Sequence, residues 1–293
     1  MLSCSQGETL KVIFLGTSAA EWYPTPWCKC KHCVSARLHG GRDVRAYSSI
    51  VVVPDVLVDM PPDVVTSAHS HGVDLTKIKT ILITHPHSDH LNPRLLLMRR
   101  PPSELDEELV GPRVTDVDEV LVCASQRTLE ALKSSLPFSL NELKIKFLQL
   151  KPFAWIELRT GLRVLPLPAN HMTRVGGALI YVIEKNGKRL LYAVDTGPLG
   201  EDLMKTLQAT HLDLVICEAT VGLLSPSSPI EHMSLETAKE LREKLIAMGT
   251  ITLRTPFVLT HISPHWFPPY HEVAEKLERE GLTLAYDGME IEV

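Results

Sequence analysis

Thr84-His85-Pro86-His87-Ser88-Asp89-His90 follows the apolar run 78–83 and places three imidazoles and one carboxylate within six residues. An apolar β-type run ending in such a cluster delivers ligands to a site at the end of a strand. His85 and His87 are two residues apart, so in an extended segment they face the same way. Asp89 and His90 lie further round the turn and can reach a second centre. The pattern is that of two metals side by side, and a solvated polar loop is the plainer alternative. Histidine suits zinc, manganese and iron, and a carboxylate adds harder oxygen ligation.

Working outward, four later positions look like partners for this run. Asn170-His171 follows the strand-like run 164–167. Asp195-Thr196-Gly197 follows 190–194, and His261 follows 257–260. His232 precedes a helix after a Ser/Pro-rich loop. Three of the four stand just past an apolar strand, as His85 does, and strand ends at one edge of a sandwich can converge on one site.

The rest of the chain reads as strands with helices interspersed. Strands are expected at 11–15, 49–53, 56–59, 79–83, 119–123, 163–167, 178–184, 189–194, 213–217, 256–260, 283–286 and 290–291. The strands 178–184 and 189–194 are joined by Lys185-Asn186-Gly187-Lys188, a strong hairpin signal. Ser234 can N-cap a helix running to about Met248, with Leu235, Ala238, Leu241 and Leu245 on its apolar face. Helices are also expected at 270–280, 128–134 and 203–209. The acidic, proline-containing segment 99–118 reads either as a surface excursion near the site or as a passive loop. No midpoint linker is evident, so the expectation is one α+β domain over 1–293, two packed sheets with helices outside.

With 293 residues, 44% hydrophobic and 22% charged, the composition is that of a soluble globular protein. The net charge of −5 weighs against a generic nucleic-acid binder. No stretch approaches the roughly 18 apolar residues that span a membrane. Residues 1–9 lack a signal-peptide pattern, so a cytoplasmic protein is expected. Cys28, Cys30 and Cys33 fall in one six-residue window, which does not suit a disulfide framework. Cys123 and Cys217 lie in apolar runs and read as buried thiols.

The run Thr-His-x-His-x-Asp-His, with a later His, an Asp before a small residue and a final His after a strand, resembles the metallo-β-lactamase superfamily. That resemblance implies an αββα sandwich with a two-metal site at one edge of the sheets. It implies that His85, His87 and His171 hold the first metal. Asp89, His90 and His261 would hold the second, and Asp195 would bridge both. Asp59, at the end of an early strand, matches a position that braces the metal loop in the family, or is simply a strand-end turn residue.

Cys28-Lys29-Cys30-Lys31-His32-Cys33 has the form C-x-C-x-x-C. With Leu15-Gly16-Thr17, Thr260-His261-Ile262-Ser263 and Asp287-Gly288-Met289-Glu290-Ile291, it is similar to the PhnP-type phosphodiesterases of the carbon–phosphorus lyase pathway. A cofactor-biosynthesis relative, PqqB, carries a comparable cysteine cluster. The resemblance implies a structural zinc on Cys28, Cys30, Cys33 and a histidine after His261. Three thiolates and an imidazole make a closed, structural set. The family run reads His-Ile-Ser-His, whereas this chain reads His261-Ile262-Ser263-Pro264-His265. His265 is the expected fourth ligand despite the inserted proline, and His32 is its rival. His232 aligns with a family general acid. His39, His69, His71, His211 and His271 match no motif and read as ordinary residues.

The expected chemistry is hydrolysis of a small cyclic phosphate. Two divalent ions about 3.5–4 Å apart can share a bridging hydroxide that attacks phosphorus. Asp89 and Asp195 would serve the reaction, and His232 would protonate the leaving oxygen. The resemblance implies manganese or zinc at the pair, 5-phospho-α-D-ribosyl 1,2-cyclic phosphate as substrate and ribose 1,5-bisphosphate as product, with a homodimer possible. Alternatives are 2′,3′-cyclic nucleotides, RNA 3′-processing, thioester or lactone hydrolysis, PqqB-like chemistry or a non-catalytic metal-binding protein. No Gly- and Lys-rich arm that would grip tRNA is evident, so nucleic acid is not an expected partner.

Overall fold

The computed structural model describes residues 9–100, 116–158, 161–172, 176–224 and 231–293. Of the 99–118 excursion, residues 101–115 lie outside the described residues.

Two seven-stranded sheets face one another. The first takes β1 (Lys11–Gly16), β2 (Ser49–Val52), β3 (Val56–Val58), β4 (Thr80–Leu82), β5 (Val120–Ala124), β6 (Ile145–Gln149) and the C-terminal β14 (Glu290–Glu292). Their order is β14-β1-β2-β3-β4-β5-β6, with β3 to β6 parallel. The second takes β7 (Ile156–Glu157), β8 (Arg163–Pro168), β9 (Leu179–Lys185), β10 (Lys188–Ala193), β11 (Leu214–Glu218), β12 (Phe257–Thr260) and β13 (Thr283–Leu284). It is antiparallel from β7 to β10 and parallel from β10 to β13.

Period-two side-chain alternation explains the layers. In β9, Leu179, Tyr181 and Ile183 enter the space between the sheets, while Ile180 and Val182 face the helices outside. In β10, Leu190 and Tyr192 point inward, and Leu191 and Ala193 outward. Strands covered on both faces read as continuous apolar runs, as these do. On the first sheet, α2 (Val64–Ser70), α3 (Arg94–Leu97) and α4 (Gln126–Ser134) bury Val64, Ala68, Leu96, Leu129 and Leu132. On the second, α5 (Glu201–Gln208), α6 (Leu235–Ala247) and α7 (Tyr270–Arg279) bury Leu203, Leu207, Ala238, Leu241, Leu245 and Leu277. The result is the αββα sandwich that the resemblance implied. The remaining helix, α1 (Lys31–His39), begins inside the cysteine window.

Ser234 caps α6 as expected, and Thr237 reciprocates in a capping box. The Asn186-Gly187 turn also forms, with φ of 53° and 71°. Helices α1, α2 and α3 and strands β6 and β7 were not expected from the sequence. Helix α1 has hardly any apolar periodicity, and β7 has only two residues. No helix among the described residues is long and apolar enough to cross a membrane.

Two contacts tie the sheets together beside the histidine run. The buried Tyr181 hydroxyl donates to the Ile83 carbonyl at 2.5 Å, and the Leu179 N–H donates to the Thr84 carbonyl at 3.0 Å. Gly16 is required for close approach, because a Cβ there would sit 1.9 Å from the Tyr47 carbonyl oxygen.

Candidate metal centre

The polar side chains of the site lie mostly just past strand ends. Asp59 follows β3, and the run from Thr84 to His90 follows β4. His171, Asp195 and His261 follow β8, β10 and β12, and Glu218 closes β11. Strands β8, β10, β11 and β12 point the same way, so their ends share one edge. Asp59, Asp195 and His261 have φ of 61°, 52° and 56°. Left-handed backbone at non-glycine residues costs energy, and here it recurs at three turns that aim side chains into one centre.

His85, His87 and His171 form one group. His87 Nδ1 lies 2.9 Å from His85 Nε2 and 3.3 Å from His171 Nε2. The opposite nitrogens are held elsewhere: His85 Nδ1 by the Thr84 hydroxyl at 3.0 Å, and His171 Nδ1 by the Glu231 carbonyl at 3.3 Å. Burial, and then the neighbouring His90 charge, hold His85 well below the usual imidazole range. Burial also lowers His171, against the pull of Asp195. Neutral imidazoles are the form that ligates a metal.

Asp89, His90, Asp195 and His261 form the second group, all four buried. Asp195 Oδ2 lies 2.5 Å from His90 Nε2, 3.4 Å from His261 Nε2 and 3.5 Å from His85 Nε2. Asp89 Oδ2 is 3.2 Å from His90 Nε2 and 3.9 Å from His261 Nε2. Burial works against a charge on His90, but Asp195, Asp59 and Asp89 raise it well above the usual range. Burial likewise pushes Asp89 and Asp195 up, and the surrounding imidazoles reverse it, so both stay carboxylates.

This donor set fits divalent metal. The His90 and His261 Nε2 atoms are buried and make no well-aligned hydrogen bond, although Asp89 and Asp195 oxygens lie 2.5–3.9 Å from them. His90 Nδ1 is anchored on Asp59 at 2.7 Å, and His261 Nδ1 on the Thr220 hydroxyl at 2.7 Å. Each anchor turns Nε2 toward Asp89 and Asp195. Imidazoles and carboxylates that converge in a buried space need positive charge between them, which the His90 proton supplies in the bare chain and a bound metal would supply in its place.

Three contributors were missed by sequence reasoning. Glu218 is fully buried and accepts backbone N–H groups of Thr196 at 2.5 Å and Met233 at 3.1 Å. Its signal was an acid at the end of an apolar strand. Thr84 donates its hydroxyl and its backbone N–H to Asp59, and Thr220 anchors His261. Asp59 accepts from Thr84 and faces His90 Nδ1 at 2.7 Å, the contacts that its bracing reading requires.

His232 Nδ1 sits 3.3 Å from Asp195 Oδ1 and 3.3 Å from Glu218 Oε1. Burial pulls this imidazole down, but the Glu218 and Asp195 carboxylates outweigh it and push it up to about 9. The ring is 29% exposed, so His232 touches both the centre and its mouth.

The sulfurs of Cys28, Cys30 and Cys33 also come together. Sulfur of Cys28 accepts the Cys30 N–H, and sulfur of Cys30 accepts the Cys33 N–H, each at 3.5 Å. His32 Nδ1 contacts the Pro264 carbonyl at 2.8 Å, so the cysteine loop lies against the segment that carries His265. His265 is exposed, with its ring edge-on to Trp266. Cys123 and Cys217 are buried as expected. A cavity of about 850 Å³ beside Trp22, Arg42 and Tyr286 is lined by none of the centre's donors.

Residues 55–262 match the family model of the β-lactamase superfamily domain. Among solved structures, a diphosphatase from the PhnP family is 25% identical with a TM-score of 0.71, covering 97% of each chain. Zinc-bound PqqB from Methylobacterium extorquens is 19% identical with a TM-score of 0.69, covering 96% of this chain and 99% of that one. Human short-form tRNase Z is 20% identical with a TM-score of 0.60, covering 96% and 98%. The last two speak for the fold alone. No curated protein matches the chain.

Proposed function

The chain belongs to the β-lactamase superfamily domain family, and from that premise we propose that it is a metal-dependent phosphoric diester hydrolase. One observation carries this reading: a single oxygen, Asp195 Oδ2, faces His85 of the first group and His90 and His261 of the second. A carboxylate so placed suits two ions held side by side. His85, His87 and His171 would hold one, Asp89, His90 and His261 the other, and Asp195 both. Manganese or zinc fits these nitrogen and oxygen donors. Cys28, Cys30 and Cys33, completed by His265, would hold a structural zinc.

Metals held there would supply activation of water and positive charge against the phosphoryl oxygens. The chain's own residues do the rest. Asp59 and Thr220 fix the orientation of His90 and His261. Glu218 holds His232 by Nδ1, leaving Nε2 to hand a proton to the departing oxygen. The likeness to PhnP-type enzymes favours 5-phospho-α-D-ribosyl 1,2-cyclic phosphate, opened to ribose 1,5-bisphosphate. The diphosphatase among its structural relatives favours a second reading, cleavage of a diphosphate linkage at the same centre.

Phosphorus NMR of manganese-loaded protein with each substrate class tests both. Opening of the cyclic phosphate supports the first reading, and release of phosphate from a diphosphate alone moves the function to the second. Asp89→Ala should abolish whichever rate is found. Turnover near wild type in that variant would sink the two-metal centre.

A further inference from the structure

Two histidines that belong to none of the sequence motifs meet outside the centre described above. His39 is the last residue of α1, and His271 is the second residue of α7. Their rings stack with centroids 3.8 Å apart and planes 25° from parallel. After His39 the chain reverses through Gly40 and Gly41, with φ of 65° and 54°, a conformation that suits glycine. The reversal returns Asp43, which is buried, against the two rings. One ligand atom from each of His39, Asp43 and His271 lies within 4.8 Å of the others.

The hydrogen bonds fix which ring nitrogen is free. Asp43 Oδ2 lies 2.5 Å from His271 Nδ1, and Oδ1 accepts the His271 backbone N–H at 3.2 Å. A carboxylate in that position keeps the proton on Nδ1 and leaves the lone pair on Nε2. His39 Nδ1 lies 3.0 Å from the Ser35 carbonyl oxygen, which can only accept. The proton therefore sits on Nδ1 here too, and Nε2 is again the free donor of a lone pair. An imidazole anchored through Nδ1–H on a carboxylate or carbonyl is the arrangement that prepares Nε2 for a metal. Glu272 adds an oxygen: Oε1 is 3.8 Å from His271 Nε2, and the Ser35 hydroxyl donates to it at 3.3 Å.

We propose that His39, His271 and Glu272 bind a divalent transition-metal ion through two Nε2 atoms and a carboxylate oxygen, with Asp43 as the anchor of His271. Two imidazoles and one carboxylate suit zinc, nickel or copper and not the oxygen-seeking magnesium or calcium. The ion would join two elements that are far apart in sequence. Helix α1 starts in the cysteine window, and α7 follows the segment that carries His265. A metal between the end of α1 and the start of α7 would clamp them a second time. The plainer role for Asp43 is to cap α7, whose N-cap residue Pro269 has no side-chain acceptor. That role alone needs neither His39 nor Glu272, and it binds no ion.

Equilibrium dialysis of the full chain against zinc, with metal counted per chain, separates the two roles. Wild type should hold one more zinc than His39→Gln or His271→Gln, and removing either imidazole should weaken that zinc by about tenfold or more. His39 is exposed at a helix end, so its replacement leaves the core alone. Anomalous diffraction at the zinc edge should place the extra ion about 2.0–2.1 Å from both Nε2 atoms. Equal zinc counts in wild type and both variants, or no anomalous peak between the two rings, would overturn the proposal.

Discussion

Glu218 Oε1 and His232 Nδ1 lie 3.3 Å apart; the same oxygen accepts the Thr196 N–H, and Oε2 accepts the Met233 N–H. Glu218 is fully buried while His232 keeps 29% of its side chain exposed. The pair thus has a fixed end and a working end.

Removal of the working end should cost rate and not metal. In His232→Ala, kcat should fall by about 10²–10⁴-fold, the range for a lost proton donor, with metal content and KM little changed. Glu218→Gln should lower kcat as well. It should also lower stability, because an amide cannot accept all the hydrogen bonds the carboxylate takes. Steady-state kinetics with metal analysis on the same samples checks this. A His232→Ala enzyme that turns over like wild type would remove His232 from the reaction.

Asp59 and His90 form a second such pair, both fully buried, at 2.7 Å. Asp59 also accepts the Thr84 hydroxyl and N–H, so one carboxylate sets the geometry of the whole histidine run. Asp59→Ala should weaken metal at the second group by about 10–100-fold, as loss of such anchoring partners does. Competition with a chelator, read as the metal retained per chain, measures it. Unchanged retention would make Asp59 a turn residue and no more.

The sequence made some of this centre readable and not the rest, for physical reasons. The strand and histidine run around His85 announce themselves, because apolar β periodicity and ligand spacing are both local. The gathering of His171, Asp195 and His261 is not local. Strand ends indicated it, and resemblance to a family supplied the pairing. Glu218 obeys the same strand-end rule, yet a lone acid after an apolar run has many structural uses. His39 and His271 are separated by most of the chain, and only the fold reveals their stacking. Helix α1 escaped because Lys31–His39 buries just Cys33 and Ala36, too little for an apolar stripe.

Asp287 gives the fold a pH dependence away from the metals. Its Oδ1 accepts the Thr17 hydroxyl at 2.7 Å, and its Oδ2 accepts the Ala46 N–H at 2.6 Å. Burial pushes the carboxyl up to about 7, against the pull of those donors and Arg45. Between about pH 4 and 7 the folded chain then keeps a proton that the unfolded chain has lost. Stability from this group is full at the acid end and falls as pH rises through 7. Urea midpoints from pH 5 to 8 should decline more steeply in wild type than in Asp287→Asn, where nothing titrates. Parallel curves for the two proteins would show that the group does not act this way.

Lys185 and Asp55 test how the two sheets are held together. Lys185 ends β9 in the second sheet, and Asp55 lies in the turn between β2 and β3 of the first. Their Nζ and Oδ1 atoms are 2.5 Å apart, with side chains 7% and 8% exposed. A buried pair gives little net stability over an apolar replacement, but an orphaned member is costly. Lys185→Met should therefore destabilise the protein by about 3–5 kcal/mol. The double variant Lys185→Met with Asp55→Ala should recover much of that loss, because no buried charge is left without a partner. Urea denaturation of the four proteins in the cycle gives the coupling directly. A single-variant loss under about 1 kcal/mol, the scale of a solvated surface pair, would mean that water reaches Asp55 once Lys185 is gone.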